Sequence, residues 1–345
     1  MGHTNVWFYY SFLNLAEKKI FDSIYAQLQK MQPEIRIVGT ARTVKKILFY
    51  VLKDCPEFFF VDNTSMQLLS DMGGVTVRMK YLKNHAEVKA INQRLRMISD
   101  RFLKEIEKRQ LDDRNTIRYV HDFILKNTEY ARERLDRQDA SGDVSTICGV
   151  FVNKRAVCMG ISLAAKWLLD QAGIVSGVME GCVTQAENNA YGNAADGNCS
   201  YNHAWNIVDV NGDWHYMDIT MDMGASQVDK AWVSYDYFLR GDAAMKKYIQ
   251  YENPYVTCEP EKYSFYVSHK VIFSEEKMLG KYLQYCLKKH VGRMYFQVEK
   301  ELAQKSPDQI HRLVSRYLLF SAYQWRYNQK LNIYDFKVIW GRGMQ

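Results

Sequence analysis

The sequence lacks the features that mark membrane, zinc-ribbon and disordered proteins. No apolar run approaches the roughly 20 residues that a membrane-spanning helix needs. No C-x-x-C pair occurs among the seven cysteines, which excludes a zinc ribbon and a thioredoxin-type redox site. Only five prolines are present, without a Ser/Gly-rich tract, so neither long linkers nor disorder is expected. What is there is a globular composition over 345 residues, enough for two or three domains.

The charge and the number of cysteines limit which binding partners and which cellular compartment are expected. The net charge of +7 is moderate and the basic residues are not clustered, so no nucleic-acid partner is expected. An odd number of cysteines leaves one thiol free in a monomer, which favours the reducing cytoplasm. The first residues lack a basic region followed by an apolar core, the pattern of a signal peptide. If the N-terminus has been trimmed, a secreted or cell-surface location is the alternative.

The pattern of helices and strands predicts three regions. Residues 1–110 form an N-terminal α+β accessory domain, residues 111–240 a central core, and residues 241–345 a C-terminal α+β accessory region. Within them, EFFFVD at 57–62 predicts a strand and residues 306–324 predict a helix. Oligomeric state is left open.

A cysteine stands directly before an amphipathic helix in KRAVCMGISLAAKWLLDQAGI, residues 154–174. Apolar residues recur at helical spacing after Cys158, and Gly173 stands where a C-terminal helix cap is expected. A thiol at a helix start meets the positive end of the helix dipole and unpaired backbone N–H groups, which favours a nucleophilic thiolate. Taken alone, the stretch favours a small buried cysteine that starts a helix, because free cysteines are usually buried apolar residues.

The stretch HAWNIVDVNGDWHYMDIT predicts a β-hairpin, because Asn-Gly at 211–212 is a strong two-residue turn signal. This turn puts Trp205 opposite Asp218, and His203 opposite Thr220 on a continuing strand. His203 and Asp218 then share one face as diagonal neighbours, with Cβ atoms about 7 Å apart or less. We therefore expect an imidazole–carboxylate hydrogen bond between them.

Together, the cysteine and the hairpin supply the parts of a thiol-dependent catalytic site. A carboxylate beside a histidine fixes the ring tautomer and stabilises the imidazolium. Such a histidine takes a proton from a thiol and returns one to a leaving amine. Cys158, His203 and Asp218 would thus be nucleophile, base and orienting group. Each has an ordinary structural explanation by itself, whereas the three together favour catalysis.

Three motifs in this order resemble the core of the transglutaminase-like superfamily. They are V-C-x-G at a helix start, H-A-W-N on a strand and W-x-x-x-D-x-T on the next strand, here at 157–160, 203–206 and 214–220. The upstream helix IRYVHDFILKNTEYA resembles the lead-in of that core. The segment CPEFFFVD is similar to one that precedes the core in bacterial members. The similarity covers about residues 111–240, whereas the C-terminal third matches no family pattern.

The resemblance implies a fold class and a chemistry. The fold class is α+β, with a papain-like core in which the nucleophile helix packs on an antiparallel sheet carrying histidine and aspartate. The chemistry is acyl transfer through a thioester on Cys158, with water or an amine as the acceptor. The N–H of the cysteine and a second, unidentified donor would hold the oxyanion. Tyr130 and the loop around Cys148 are candidates for that donor.

Among the branches of the superfamily, we expect a peptidase or amidase with a peptide or protein substrate, and no cofactor or metal. Calcium-dependent crosslinking needs acidic clusters and further domains, and Asp218 with Asp222 alone is only a weak argument for calcium binding. The peptide-N-glycanase branch carries zinc-binding C-x-x-C pairs, which are absent here. The alternative function is a catalytically silent binding or scaffold module, with cell-wall association as one setting.

Other residues near the expected triad have open or structural roles. Three aromatic residues either line a substrate cleft or are simply packed: Trp205, Tyr191 and Tyr201. The polar stretch 184–202 is either a lid or an ordinary surface loop. His121, on the lead-in helix, and His215, on the opposite strand face from Asp218, are expected to be structural.

Overall fold

The structure is a computed structural model that describes residues 7–136, 142–183, 202–228, 232–259, 261–318 and 321–340. The chain divides into two compact units. The first comprises residues 1–242 with 249–259, and the second comprises residues 243–248 with 260–345. The boundary that the sequence predicts near residue 110 stays a prediction.

The first unit opens with helices around a small sheet. The helices are α1 (Phe8–Ser11), α2 (Leu15–Gln29), α3 (Ala41–Asp54) and α4 (His85–Arg109). The strands β1 (Glu34–Ile37), β2 (Gln67–Asp71) and β3 (Gly74–Arg78) form an antiparallel sheet in the order β1-β3-β2. Asn14 and Asn84 begin α2 and α4 with capping boxes, in which each side chain accepts the N–H of a glutamate three residues on.

The strand predicted over residues 57–62 is wrong. Pro56 begins a short 3-10 turn, Pro56–Phe58, and Val61 makes only an isolated bridge to Tyr81. Proline suits the first position of such a turn because its φ is already helical. The run of phenylalanines that follows is buried without alternating with polar residues. An apolar run of this kind does not distinguish a strand from a buried turn.

The rest of the first unit is a helix-and-sheet core. The helices are α5 (Asp113–Asn127), α6 (Arg132–Asp136), α7 (Cys158–Gln171) and α8 (Ile219–Val228). The strands are β4 (Glu129–Tyr130), β5 (Arg155–Ala156), β6 (Ser176–Val183), β7 (His203–Val210), β8 (Asp213–Met217) and β9 (Ile249–Gln250). Strands β8-β7-β6-β9 form an antiparallel sheet in that order.

Helix α7 packs against β6 and β7 on one side and against α5 on another. Its apolar residues are buried around most of its circumference, as expected for a helix at the centre of a core. Asn206 on β7 donates its Nδ2 hydrogen to Ser162 O at 2.9 Å, a buried polar link between sheet and helix. Gly173 follows the last turn with φ +76°, so the predicted cap is confirmed. The α+β class, with a helix packed on an antiparallel sheet, is confirmed.

The second unit has its own mixed sheet. Its helices are α9 (Asp242–Met245, whose first residue belongs to the first unit), α10 (Phe265–Ser268), α11 (Glu276–Lys288), α12 (Lys300–Ala303) and α13 (Pro307–Ser315). Its strands β10 (Ile272–Phe273), β11 (Arg293–Val298), β12 (Ala322–Asn328) and β13 (Ile333–Ile339) are ordered β10-β11-β13-β12. The helix predicted over 306–324 is wrong in its second half, because the chain from Ala322 pairs with β13.

Candidate active site

Cys158 is the first residue of α7, as the sequence predicts. Val157 precedes it in an extended conformation and donates its N–H to Val144 O at 3.0 Å. The Cys158 side chain is 7% exposed and packs with Val178 and Ala204. Its backbone N–H is one of the first four of the helix, which have no acceptor within the helix. The thiol therefore lies in the core beside a group of available hydrogen-bond donors.

Gly160 allows a neighbouring turn to approach the first turn of α7. A Cβ at this position would stand 2.3 Å from Val144 O and 2.9 Å from Thr146 O. These contacts are too short for any side chain, so a larger residue would force the backbone apart. The glycine of the V-C-x-G motif thus has a steric reason that is separate from the chemistry of the thiol.

Strands β7 and β8 pair in the predicted register. Val210 pairs with Asp213 and Asn206 with Met217. The turn residues at 211–212 have φ values of 56° and 86°, as an Asn-Gly hairpin turn requires. His203 is the first residue of β7 and pairs with Gly181 on β6. The predicted hairpin register is therefore confirmed up to Met217.

Asp218 lies just beyond β8 rather than on a continuing strand. The strand ends at Met217 and α8 begins at Ile219, so Thr220 is helical and the prediction of a strand reaching it is wrong. The physical reason is a helix cap, because Asp218 Oδ1 accepts the N–H of Met221 at 3.1 Å. One carboxylate therefore begins a helix and, with its other oxygen, faces the sheet.

His203 and Asp218 form a buried hydrogen-bonded pair. His203 Nε2 lies 2.7 Å from Asp218 Oδ2, and both side chains are fully buried. The backbone N–H of Asp218 donates to Tyr237 O at 3.0 Å, which holds the residue at its turn. The expected imidazole–carboxylate hydrogen bond is therefore present, although Asp218 reaches it from a helix cap.

The charge state of His203 follows from its neighbours. Burial favours the neutral ring, but the Asp218 carboxylate outweighs it and, with the neighbouring Cys158, raises the pKa of His203 to about 10. His203 is thus an imidazolium at neutral pH. The ring has Asp218 on its Nε2 side and also contacts Cys158. The structure therefore brings together the three residues that the sequence singles out.

The cleft candidates divide between described and undescribed parts of the chain. Trp205 is 1% exposed, and it packs beside His203 at 6.0 Å and Tyr251 at 5.4 Å between ring centroids. Of the two roles open to it, packing is the one that its burial supports. Tyr191 and Tyr201 lie outside the described residues, as does nearly all of the 184–202 stretch.

The candidates for the second hydrogen-bond donor to the oxyanion belong to segments next to the start of α7. Strands β4 and β5 pair in parallel, which puts Tyr130 opposite Ala156, two residues before Cys158. Cys148 is buried, and its N–H donates to Thr146 Oγ1 at 3.2 Å. These positions do not decide between the two candidates, so the roles of Tyr130 and of the loop around Cys148 both stay predictions.

A second buried histidine–aspartate pair was not expected from the sequence. His121 on α5 has Nε2 3.2 Å from Asp222 Oδ2 and Nδ1 3.0 Å from Asp122 Oδ1. Burial opposes the charged ring, yet the two carboxylates raise the pKa of His121 to about 9. The available signals are the His-Asp dipeptide at 121–122 and the four-residue spacing from Asp218 to Asp222, which puts Asp222 one helical turn beyond the capping residue Asp218.

Neither a metal cluster nor a membrane helix is found in the described parts of the chain. No group of three or more His, Cys, Asp or Glu residues there has metal-binding geometry. No described helix combines the length and apolar character needed to cross a bilayer.

Comparison with known proteins assigns a family to part of the chain. Residues 100–219 match the sequence profile described as Transglutaminase-like superfamily. Its members are generally cysteine-dependent acyltransferases or peptidases. A solved structure described as the crystal structure of a TGase is 19% identical, with a TM-score of 0.29, over 55% of this chain and 51% of that one. The chain thus spans about half of that structure, and no curated protein matches it.

Proposed function

We propose, from the premise that residues 100–219 belong to the transglutaminase-like superfamily, that this chain is a cysteine-dependent enzyme acting on amide bonds of peptides or proteins. Cys158 is the proposed nucleophile, His203 the acid and base, and Asp218 the group that orients and charges His203. One observation carries the proposal: His203 contacts the Cys158 thiol while its Nε2 lies 2.7 Å from Asp218. We propose hydrolysis as the outcome in preference to crosslinking.

Acylation begins from the thiolate–imidazolium pair. The Cys158 sulfur forms a bond to the carbonyl carbon, and the carbonyl electron pair moves onto oxygen. The N–H of Cys158 at the start of α7 donates to that oxyanion. His203 then gives its proton to the amide nitrogen, the C–N bond breaks, and the amine leaves behind a thioester.

Deacylation reverses these roles. His203, now neutral, takes a proton from water as the oxygen attacks the thioester carbon. The C–S bond breaks, the acid is released, and the thiolate and imidazolium are restored. Asp218 keeps the same ring nitrogen hydrogen-bonded throughout, so the ring does not turn between the two half-reactions.

Alkylation of Cys158 by iodoacetamide tests the pair without any knowledge of the substrate. We expect Cys158 to react at least about tenfold faster than Cys148 at about pH 6, because only a thiolate reacts. Cys148 is the internal reference, since burial raises its pKa to about 12. Peptide mapping assigns the modified residue, and His203→Ala should remove the difference. Equal rates for Cys158 and Cys148 would leave the silent binding module as the better description.

The acceptor is tested with an activated acyl donor. p-Nitrophenyl acetate should acetylate Cys158 and release p-nitrophenol continuously in water, while Cys158→Ala should show only the background rate. Added glycine ethyl ester competes with water for the thioester. Steady turnover that the amine does not accelerate supports a hydrolase. Turnover that rises in proportion to the amine, with acetylated amine as product, would instead indicate acyl transfer.

A further inference from the structure

Asp222 ties the start of α8 to the segment that follows it. The residue is one helical turn beyond Asp218 and is fully buried. Its carboxylate accepts hydrogen bonds from Ser234 Oγ at 2.7 Å and from the N–H of Tyr237 at 3.3 Å. Its own N–H donates to Asp218 O at 3.2 Å. Asp222 is therefore the point at which the 234–237 segment is fastened to the first turn of α8.

The backbone of Tyr237 connects the two aspartates directly. Its N–H donates to the Asp222 carboxylate, and its carbonyl accepts the N–H of Asp218 at 3.0 Å. A shift of Asp222 would therefore be passed to the backbone of Asp218 through a single residue. Asp218 has little freedom of its own, because one carboxylate oxygen caps α8 and the other faces His203.

His121 fastens Asp222 in turn to α5. Both of its ring nitrogens lie within hydrogen-bond distance of carboxylates, and ionised carboxylates only accept hydrogen bonds, so this arrangement favours the doubly protonated ring. The ring stacks on Tyr235 at 5.2 Å and meets the edge of Phe238 at 5.3 Å. Tyr235 also donates to Asp122 Oδ2 at 2.9 Å. The imidazolium is thus a buried cross-link between α5, α8 and the 234–238 segment.

We propose that the buried His121–Asp222 pair is a positioning element for the candidate active site: it holds the α8 turn that aims Asp218 at His203. The inference rests on the proposed function, since it gives the His121–Asp222 pair a role in stabilising the Cys158–His203 thiolate–imidazolium pair. His121 and Asp222 are positioning residues that act through Asp218. The two residues lie 101 positions apart in the chain, so their contact links distant segments.

The charged groups around Asp222 set the direction of the expected change. Burial raises the pKa of Asp222, His121 opposes that rise by stabilising the carboxylate, and the buried Asp236 adds to it. Asp222→Asn removes the negative charge while keeping the shape of the side chain. Among the described residues, Asp122 is then the only carboxylate that faces His121. Once the turn loosens, Asp218 supports the His203 imidazolium less well. Fast alkylation of Cys158 should then require a higher pH.

The test is the pH profile of Cys158 alkylation by iodoacetamide in the full chain. For Asp222→Asn we expect the rate at about pH 6 to fall by about tenfold, because a small misplacement of a catalytic group has effects of this size or larger. The pH of half-maximal rate should move up by about one unit, the shift that corresponds to a tenfold change in the charged pair. A purely structural role would lower the melting temperature without moving this profile.

Asp335→Asn is the matched control. Asp335 is also a fully buried carboxylate, and it forms ion pairs with Arg293 and Arg326 inside the second unit. It should lower stability as Asp222→Asn does, yet leave the alkylation profile of Cys158 as in the wild type. If both variants leave the profile unchanged, the positioning proposal is wrong. If the wild type itself shows no fast reaction that depends on His203, the proposed function has failed instead.

A milder variant keeps the test valid if Asp222→Asn does not fold. Ser234→Ala removes one donor to Asp222 and nothing from the Cys158–His203–Asp218 triad. We expect a two- to threefold slower alkylation at about pH 6, with circular dichroism as in the wild type, because one of the hydrogen bonds that hold Asp222 is lost. A rate equal to that of the wild type in folded Ser234→Ala protein would overturn the proposal.

Discussion

The two buried histidine–aspartate pairs of the first unit differ in what lies on the far side of the ring. His203 has Asp218 on one nitrogen and also contacts the Cys158 thiol, a group that can give up a proton. His121 has carboxylates on both nitrogens, Asp122 and Asp222. A ring between two carboxylates is held in its charged form and has no partner with which to exchange a proton at neutral pH. The same residue pair is thus suited to chemistry in one place and to cross-linking in the other.

The largest effect in this comparison should come from Asp218→Asn. An amide does not hold the imidazolium as a carboxylate does and favours the wrong ring tautomer, so turnover of p-nitrophenyl acetate should fall by roughly a thousandfold. Asp209→Asn is the control, because Asp209 lies on the same hairpin and only accepts the N–H of Gly212 at its turn. Equal losses in both variants would indicate a general disturbance of the hairpin and contradict the role of Asp218.

The next effect should be a loss of stability in His121→Gln. Removing the imidazolium leaves Asp222 buried without a counter-charge, so the free energy of unfolding should fall by about 3 kcal/mol at about pH 6. The pKa of His121 is raised from 6.5 to about 9 on folding. Its contribution is therefore complete below about pH 6.5 and is lost as the pH rises through about 9.

Urea unfolding of His121→Gln and wild type should thus differ most at about pH 6 and least above about pH 9. His85→Gln is the control, since His85 is exposed on α4 and its replacement should change stability by less than about 0.5 kcal/mol. A stability difference that grows with rising pH would show that His121 is neutral in the folded protein.

The smallest expected effect comes from glycine substitutions that compare α7, which carries Cys158, with α8, which carries Asp222. Gly160→Ala on α7 should lower the free energy of unfolding by about 2 kcal/mol, because its Cβ would meet Val144 O at 2.3 Å. Gly224→Ala on α8 is the matched control, since among the described atoms none lies within 4 Å of its Cβ. It should be neutral or stabilising by up to about 1 kcal/mol. Thermal unfolding followed by circular dichroism measures both, and equal losses would contradict the steric role of Gly160.

Sequence patterns predicted best where a local signal has one structural meaning. Asn-Gly at 211–212 has positive φ at both positions, and this alone sets the register that brings His203 near Asp218. The helix start at Cys158 and the cap at Gly173 are similarly local. The end of β8 was missed because Asp218 uses its side chain as a helix cap, which an alternating pattern does not reveal.

The role of His121 was beyond reach of the sequence for a different reason. Its partner Asp222 lies 101 residues away, and a histidine on an apolar helix face carries no sign of which carboxylate it will meet. The strand predicted at 57–62 failed because a run of buried aromatic residues has no period. Tertiary packing decided both cases, so a local sequence pattern could predict neither.

The close approach at Gly160 has a consequence for how related chains diverge. The Val144 carbonyl restricts the position whether or not Cys158 reacts, so selection for folding alone is enough to retain the glycine. A descendant that loses the thiol but still packs this turn against α7 would keep the glycine. In such a lineage the glycine would still be present after the activity had been lost, and would mark descent from the same fold.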